Sequence, residues 1–188
     1  MSHRLVYVIG PSGAGKDSVL QGLRQTWPEA ACAHWARRTI TRGVQAGGEQ
    51  HEAVDTDTFA RLAQAQAFAM HWTANGLSYG IRHAELQALR QGRWVFVNGS
   101  RAWLPTLLVQ WPQATVVHIG ASPDVLALRL AARGRESAEA VAARLARQVA
   151  LDLPPGSIRV ENNGALADAV NALQQALQAR SAPALDAV

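Results

Sequence analysis

Residues 4–18 read RLVYVIGPSGAGKDS, and the rest of the chain is most easily placed around them. RLVYVI (4–9) is short, apolar and β-branched, which reads as a buried parallel strand running into a glycine turn. GPSGAGK (10–16) satisfies the spacing G-x-x-x-x-G-K directly after that strand. A helix follows from Gly15 to about Thr26, with Val19, Leu20 and Leu23 at helical spacing and Pro28 as its stop. In that context the glycines allow the backbone to wrap closely around a phosphate. Successive N–H groups and the helix N-terminus then face the anion, and Lys16 reaches its outer oxygens. The nucleotide-binding set is therefore Gly10, Pro11, Ser12, Gly13, Ala14, Gly15, Lys16, Asp17 and Ser18. The pattern usually has Ser or Thr after the lysine as a magnesium ligand, whereas this chain has Asp17 and then Ser18. A carboxylate is a hard oxygen ligand, so Asp17 is the candidate for Mg²⁺; as a first-turn acid it also suits the helix dipole.

Beyond Pro28 the chain alternates apolar strands with helices. Residues 37–56 are polar, glycine-containing and arginine-rich, and read as an irregular substrate-binding insertion. Phe59, Leu62 and Ala63 mark a helix over 57–67, and Tyr79-Gly80 closes a second irregular stretch. A helix over 83–91 leads to the strand RWVFVN (93–98), and a helix around 103–110 is bounded by Pro112. The strand ATVVHIG (114–120) is followed by Ser122-Pro123, a helix start with Ser122 as cap. Helix 123–133 is interrupted by Gly134, restarts at Ser137 and breaks at Pro154-Pro155-Gly156. Strand 157–161 precedes a last helix, 165–179, and a tail at 181–188. This order predicts an α/β fold with a central parallel sheet flanked by helices.

The chain has 188 residues, a formal charge of +4 and one cysteine, Cys32, which excludes an internal disulfide and reads as a small buried hydrophobe. No apolar run is long enough to cross a bilayer and no secretory pattern opens the chain, so a cytoplasmic protein with no membrane partner is expected. The 18 Lys and Arg residues include a single lysine, Lys16, within the phosphate loop. The arginines gather at 37, 38 and 42 and again at 129, 133, 135, 144 and 147. Forked donors grouped in loops suit small phosphorylated anions better than nucleic acid.

With GPSGAGKDS as its loop, the chain resembles the guanylate kinases along nearly its whole length. ARRTITR (36–42) is similar to their acceptor-phosphate segment, NGLSYG (75–80) to their Gly-Asn-x-Tyr-Gly turn, and LRLAARGRESAEAVAARL (128–145) to their lid. The resemblance implies a P-loop kinase fold in one domain, 1–180. Its core would be 4–36, 84–128 and 152–180, with an insertion at about 37–83 and a lid at about 129–147. It implies ATP and Mg²⁺ as cofactors. Arg38, Arg42 and Tyr79 would hold the acceptor's phosphate, while Arg129, Arg133 and Arg144, joined by Arg147, would cover the transferring group. Arg90 and Arg135 read as surface charges. The loop at Asn162-Asn163 would border the adenine.

The departures from that family point to a phosphorylated acceptor without guanine. Its base-reading glutamate is replaced by Met70 or His71, depending on a one-residue gap, and its strand Asp-x-Asp by Phe96-Val97-Asn98. Its second phosphate-binding tyrosine is replaced by His51. With RRTITR, GGEQHEAV (47–54), HWTANGLSYGI (71–81) and VNGSRA (97–102), the chain resembles the ribose 1,5-bisphosphate phosphokinases of phosphonate catabolism. That implies transfer of the ATP γ-phosphoryl group to the 1-phosphate of a sugar bisphosphate. His51 is then a candidate phosphate donor, Glu52 a ribose contact and Glu49 an orienter of arginine. His71-Trp72 would pack beneath the acceptor, and Arg101, at a strand's carboxyl edge, is a second phosphate contact. The acceptor oxygen is already anionic, so positioning and charge neutralisation suffice and no general base is required. A guanylate kinase with an altered base pocket and a non-catalytic protein-binding module stand as alternatives, and a homodimer stays open.

Overall fold

The computed structural model describes residues 4–28, 30–43, 50–132 and 152–181. Arg133, Arg144, Arg147, Glu49 and most of the expected lid lie outside them. The strands are β1 (Leu5–Ile9), β2 (Ala33–Trp35), β3 (Arg38–Ile40), β4 (Glu52–Ala53), β5 (Phe68–Ala74), β6 (Leu77–Arg82), β7 (Trp94–Asn98), β8 (Thr115–Gly120) and β9 (Ile158–Glu161). The helices are α1 (Lys16–Thr26), α2 (Thr56–Gln64), α3 (Leu104–Gln110), α4 (Pro123–Ala132) and α5 (Leu166–Ser181). A five-stranded parallel sheet runs β2-β7-β1-β8-β9, and a four-stranded sheet runs β4-β3-β6-β5. The chain divides into two compact units, one from 1–9 and 29–117 and the other from 10–28 and 118–188.

In the first unit β1 and β7 pair in parallel, Leu5 opposite Val95 through Val8 opposite Asn98, and every residue of both strands is buried. Their continuous apolar runs suit strands covered on both faces. Trp35 of β2 stacks on Phe96 of β7, with ring centroids 4.1 Å apart and planes at 8°. In the second unit α1 buries Val19, Leu20 and Leu23, as its spacing predicts. Gly22 lets α5 approach, because a Cβ there would lie 2.7 Å from Cγ2 of Val170.

The insertion is more regular than the sequence suggests. Within 37–56 the chain forms β3 and β4, which pair in parallel, Thr39 opposite Glu52. The helix expected over 57–67 ends at Gln64, and β5 follows, paired antiparallel with β6. Phe68, Met70 and Trp72 are buried at alternate positions, and Asn75 (φ 51°) and Gly76 (φ 73°) make the turn. Asn-Gly with both residues at positive φ is a two-residue hairpin turn whose twist matches the strands. Alternation and Asn-Gly are thus the signals that distinguish a hairpin from an irregular stretch. Asp55 caps α2 by accepting from the Thr58 N–H at 2.6 Å, and Phe59 stacks on Phe68 at 4.7 Å. The helix over 83–91 is a run of 3₁₀ turns. Cys32 is exposed rather than buried, since it ends a 3₁₀ turn ahead of β2 and so precedes the sheet's packed faces.

Candidate active site

In the second unit the phosphate loop, Gly10–Ser18, joins β1 to α1. Gly10 (φ 153°) passes so close to β8 that a Cβ would sit 2.1 Å from the Ile119 carbonyl oxygen, so no other residue fits there. Pro11, Gly13 and Ala14 are buried, Ser12, Gly15, Lys16 and Asp17 are half-buried, and Ser18 is exposed. The Ala14 N–H donates to the Pro11 carbonyl at 3.3 Å, which tightens the loop. Lys16 Nζ donates to the carbonyls of Gly10 and Pro11 at 2.9 and 3.1 Å, so its ammonium is folded over the loop's own backbone. Arg129, on α4, comes to the same loop: its Nη1 lies 3.9 Å from where a Cβ of Gly15 would stand. That nitrogen is buried without a hydrogen-bond partner among the described residues. Asn162, after β9, donates from Nδ2 to the Ala14 carbonyl at 2.8 Å. A buried, unpartnered guanidinium N–H beside a glycine-lined turn fits a bound phosphate, which would supply the missing acceptor. Asp17, one residue into α1, adds a hard oxygen donor of the kind Mg²⁺ takes beside nucleotide phosphates.

In the first unit β3 and β6 bring Arg38 and Tyr79 together. Tyr79 is opposite Ile40, two residues along from Arg38, and the Arg38 guanidinium lies 5.3 Å from the Tyr79 ring centroid. Trp72, opposite Tyr79 on β5, stacks on it at 5.7 Å with planes at 6°. Met70 opposes Ile81 on the same face, and Met70, Ile81 and Ile40 are all fully buried. His71 lies on the opposite face, exposed, with its ring 6.2 Å from Phe68. Of the two residues that could stand at the base-reading position, Met70 is the one beside Tyr79. Trp72 packs as the sequence suggests, and His71 does not.

Glu52 also lies away from Arg38 and Tyr79. Its carboxylate accepts from Arg82 at 2.7 and 2.9 Å and from the Thr39 hydroxyl at 2.6 Å. The expectation of a ribose contact fails because period-two alternation places Glu52 with Thr39 and Arg82 on the other face of the sheet. The Arg82 hydrogen bonds, with lesser help from Thr39, hold its carboxyl below the usual range. His51 Nε2 lies 3.1 Å from the Arg42 carbonyl, which can only accept, so that nitrogen carries the proton. Arg42 Nε is buried without a partner among the described residues. The Thr41 hydroxyl accepts from the Ser78 N–H at 2.9 Å and pins this end of β3 to β6.

Tyr7 of β1 completes this side. Its hydroxyl accepts from the Ser100 N–H at 2.9 Å and lies 3.2 Å from the Ser100 carbonyl. Burial pushes the phenol up, against smaller opposing effects of Ser100 and the Arg38 charge, so it stays neutral and able to donate and accept. Gly99 makes room for the ring, and Ser100 leads into the half-buried Arg101. Tyr7, inside an apolar strand, and Asn162, far from the loop in sequence, carry no motif that would have singled out these contacts.

The guanylate kinase family model matches residues 2–180. The chain belongs to the guanylate kinase family. Among its relatives, the ribose 1,5-bisphosphate phosphokinase PhnN of Pseudomonas paraeruginosa is 46% identical over 92% of this chain and 94% of that one. The enzyme of the same name from Burkholderia mallei is 47% identical over 94% of this chain and 96% of its own. The crystal structure of guanylate kinase from Anaplasma phagocytophilum superposes with a TM-score of 0.72 over 96% of this chain and 87% of that one. At 14% identity this last likeness concerns the fold alone. As a member of the guanylate kinase family the chain has the expected α/β architecture. Among the described residues no helix is long and apolar enough to cross a membrane.

Proposed function

We propose that the chain transfers the γ-phosphoryl group of ATP to the 1-phosphate of ribose 1,5-bisphosphate, giving 5-phosphoribosyl 1-diphosphate and ADP. One observation supports this reading: the neighbours of Arg38 and Tyr79 on their face of the sheet, Met70, Ile81 and Ile40, are all apolar. Those side chains offer a guanine edge no hydrogen-bond acceptor. Leaving its N–H groups unpaired on burial would disfavour that base by several kcal/mol, on the order of 10⁴-fold. The names of the relatives support the sugar as acceptor.

The roles follow from charge and position. The loop Gly10–Ser18 and Lys16 hold the donor phosphates, and Arg38, Arg42, Tyr79, His51 and Arg101 hold the acceptor. An oxygen of the 1-phosphate, already ionised at neutral pH, attacks Pγ as the bond from Pγ to the β-bridging oxygen breaks and ADP leaves. Arg129, with Arg133 and Arg144 from the lid, neutralises charge spread over the transferring group. Asp17 would hold Mg²⁺, which would supply charge neutralisation to the donor phosphates. The proposal includes one kinase domain over 1–180, a sugar phosphate and ATP as small-molecule partners with no nucleic acid or membrane, and a cytoplasmic setting, where ATP is available. ADP release in a coupled assay tests it: ribose 1,5-bisphosphate should drive turnover and GMP should not. The reverse ranking would replace the sugar with a nucleotide.

A further inference from the structure

We infer that Asn162 is a positioning residue for the phosphate loop: by holding the Ala14 carbonyl, its side-chain amide turns the following backbone N–H toward the bound anion. This rests on reading Gly10–Ser18 as an ATP cradle, and it adds to the cradle a group from near the other end of the chain.

Asn162 is 3% exposed, and its own N–H donates to the Gly120 carbonyl at 2.9 Å, which ties the residue to the end of β8. From that root Nδ2 reaches the Ala14 carbonyl at 2.8 Å. A carbonyl only accepts, so the atom facing Ala14 must be the NH₂. Among the described residues there is no cis peptide bond, and in a trans peptide C=O and N–H point to opposite sides. Fixing the Ala14 carbonyl toward Asn162 therefore aims the Gly15 N–H away from it. Gly15 (φ 85°) leaves the space for this, since a Cβ would stand 2.5 Å from Nδ2. Oδ1 is left buried without a hydrogen-bond partner among the described residues. A buried acceptor without a donor destabilises a fold, and an apolar side chain would avoid it. The amide is kept for what its nitrogen does to the loop.

The test is ADP affinity by titration calorimetry for the wild type, Asn162→Asp, Asn162→Ala and a control, Gln174→Ala. Gln174 also makes a side-chain hydrogen bond in this unit, to Thr26, but on the surface. The aspartate is nearly isosteric and sets a carboxylate against a carbonyl. Both Asn162 variants should raise the ADP Kd by about tenfold or more. KM for ATP should rise in parallel while KM for the acceptor holds, and Gln174→Ala should stay within about twofold. A residue that only supports the fold would lower the melting temperature and leave ADP affinity unchanged, and that result overturns the inference. Wild-type protein that binds no ADP overturns the cradle as well, so the two failures are distinct. Should neither variant fold, amide exchange on the wild type decides: the Asn162 side-chain protons should exchange slowly with and without ADP. Fast exchange in the ADP complex contradicts the assignment.

Discussion

The Arg38 guanidinium lies 5.3 Å from the centre of the Tyr79 ring, and Trp72 stacks on that ring from the neighbouring strand. The cation is thereby oriented before any ligand arrives, and a half-buried cation–π contact contributes about 0.5–2 kcal/mol. Arg38→Ala should raise KM for the acceptor by roughly 10- to 100-fold, the loss of a charge-assisted bond, with KM for ATP unchanged. Tyr79→Phe keeps the stack and should lose less. Initial-rate kinetics with each substrate varied in turn checks both. Equal effects on the two KM values would place Arg38 outside the acceptor grip.

Tyr7 holds the Ser100 backbone through a buried hydroxyl. Tyr7→Phe leaves the Ser100 N–H short of a partner, which should destabilise the fold by about 1–3 kcal/mol in urea unfolding. Because Arg101 follows Ser100, the same variant should weaken the acceptor more than ATP.

Arg82 holds Glu52 below the 4.5 of an ordinary glutamate, so the folded chain takes up that proton less readily than the unfolded chain. The pair's contribution is complete above about pH 4.5 and is lost as the pH falls toward the folded value. Both side chains are about one-third exposed, so the contribution at neutral pH is on the order of 1 kcal/mol or less. Glu52→Gln should lower the neutral plateau of a melting-temperature profile by up to about 2–4 °C and flatten its acid limb between about pH 5 and 3, so that the two profiles converge in acid.

Lys16 spans the Gly10 and Pro11 carbonyls. Lys16→Ala should lower kcat by about 100-fold or more, as expected for removal of a charge that stabilises the transferring group. Far-UV circular dichroism should be unchanged. Retained turnover would mean that the phosphates are held elsewhere.

The legible parts of this chain are those governed by local rules. A continuous apolar run, a glycine spacing and a helical period place β1, the loop and α1, and repetition of the same signals places β7, β8 and α5. The insertion was less legible because β3 and β4 are only three and two residues long, too short to show alternation. Their pairing is decided by partners distant in sequence. Asn75-Gly76 carries a hairpin signal that the reading of an irregular stretch passed over. Arg38 and Tyr79 were readable as a pair from their motifs, whereas the face of Glu52 and the choice between Met70 and His71 depend on strand register. The contacts of Tyr7 and Asn162 depend on tertiary packing, to which a buried tyrosine or asparagine gives no local clue.

Phosphorus NMR of the reaction product tests the central claim most directly. Protein incubated with ATP, Mg²⁺ and ribose 1,5-bisphosphate should yield ADP together with a pair of coupled resonances from a diphosphate at the anomeric carbon. The 5-phosphate signal should persist. An unchanged sugar bisphosphate spectrum, with GMP converted to GDP in the parallel sample, would contradict the account.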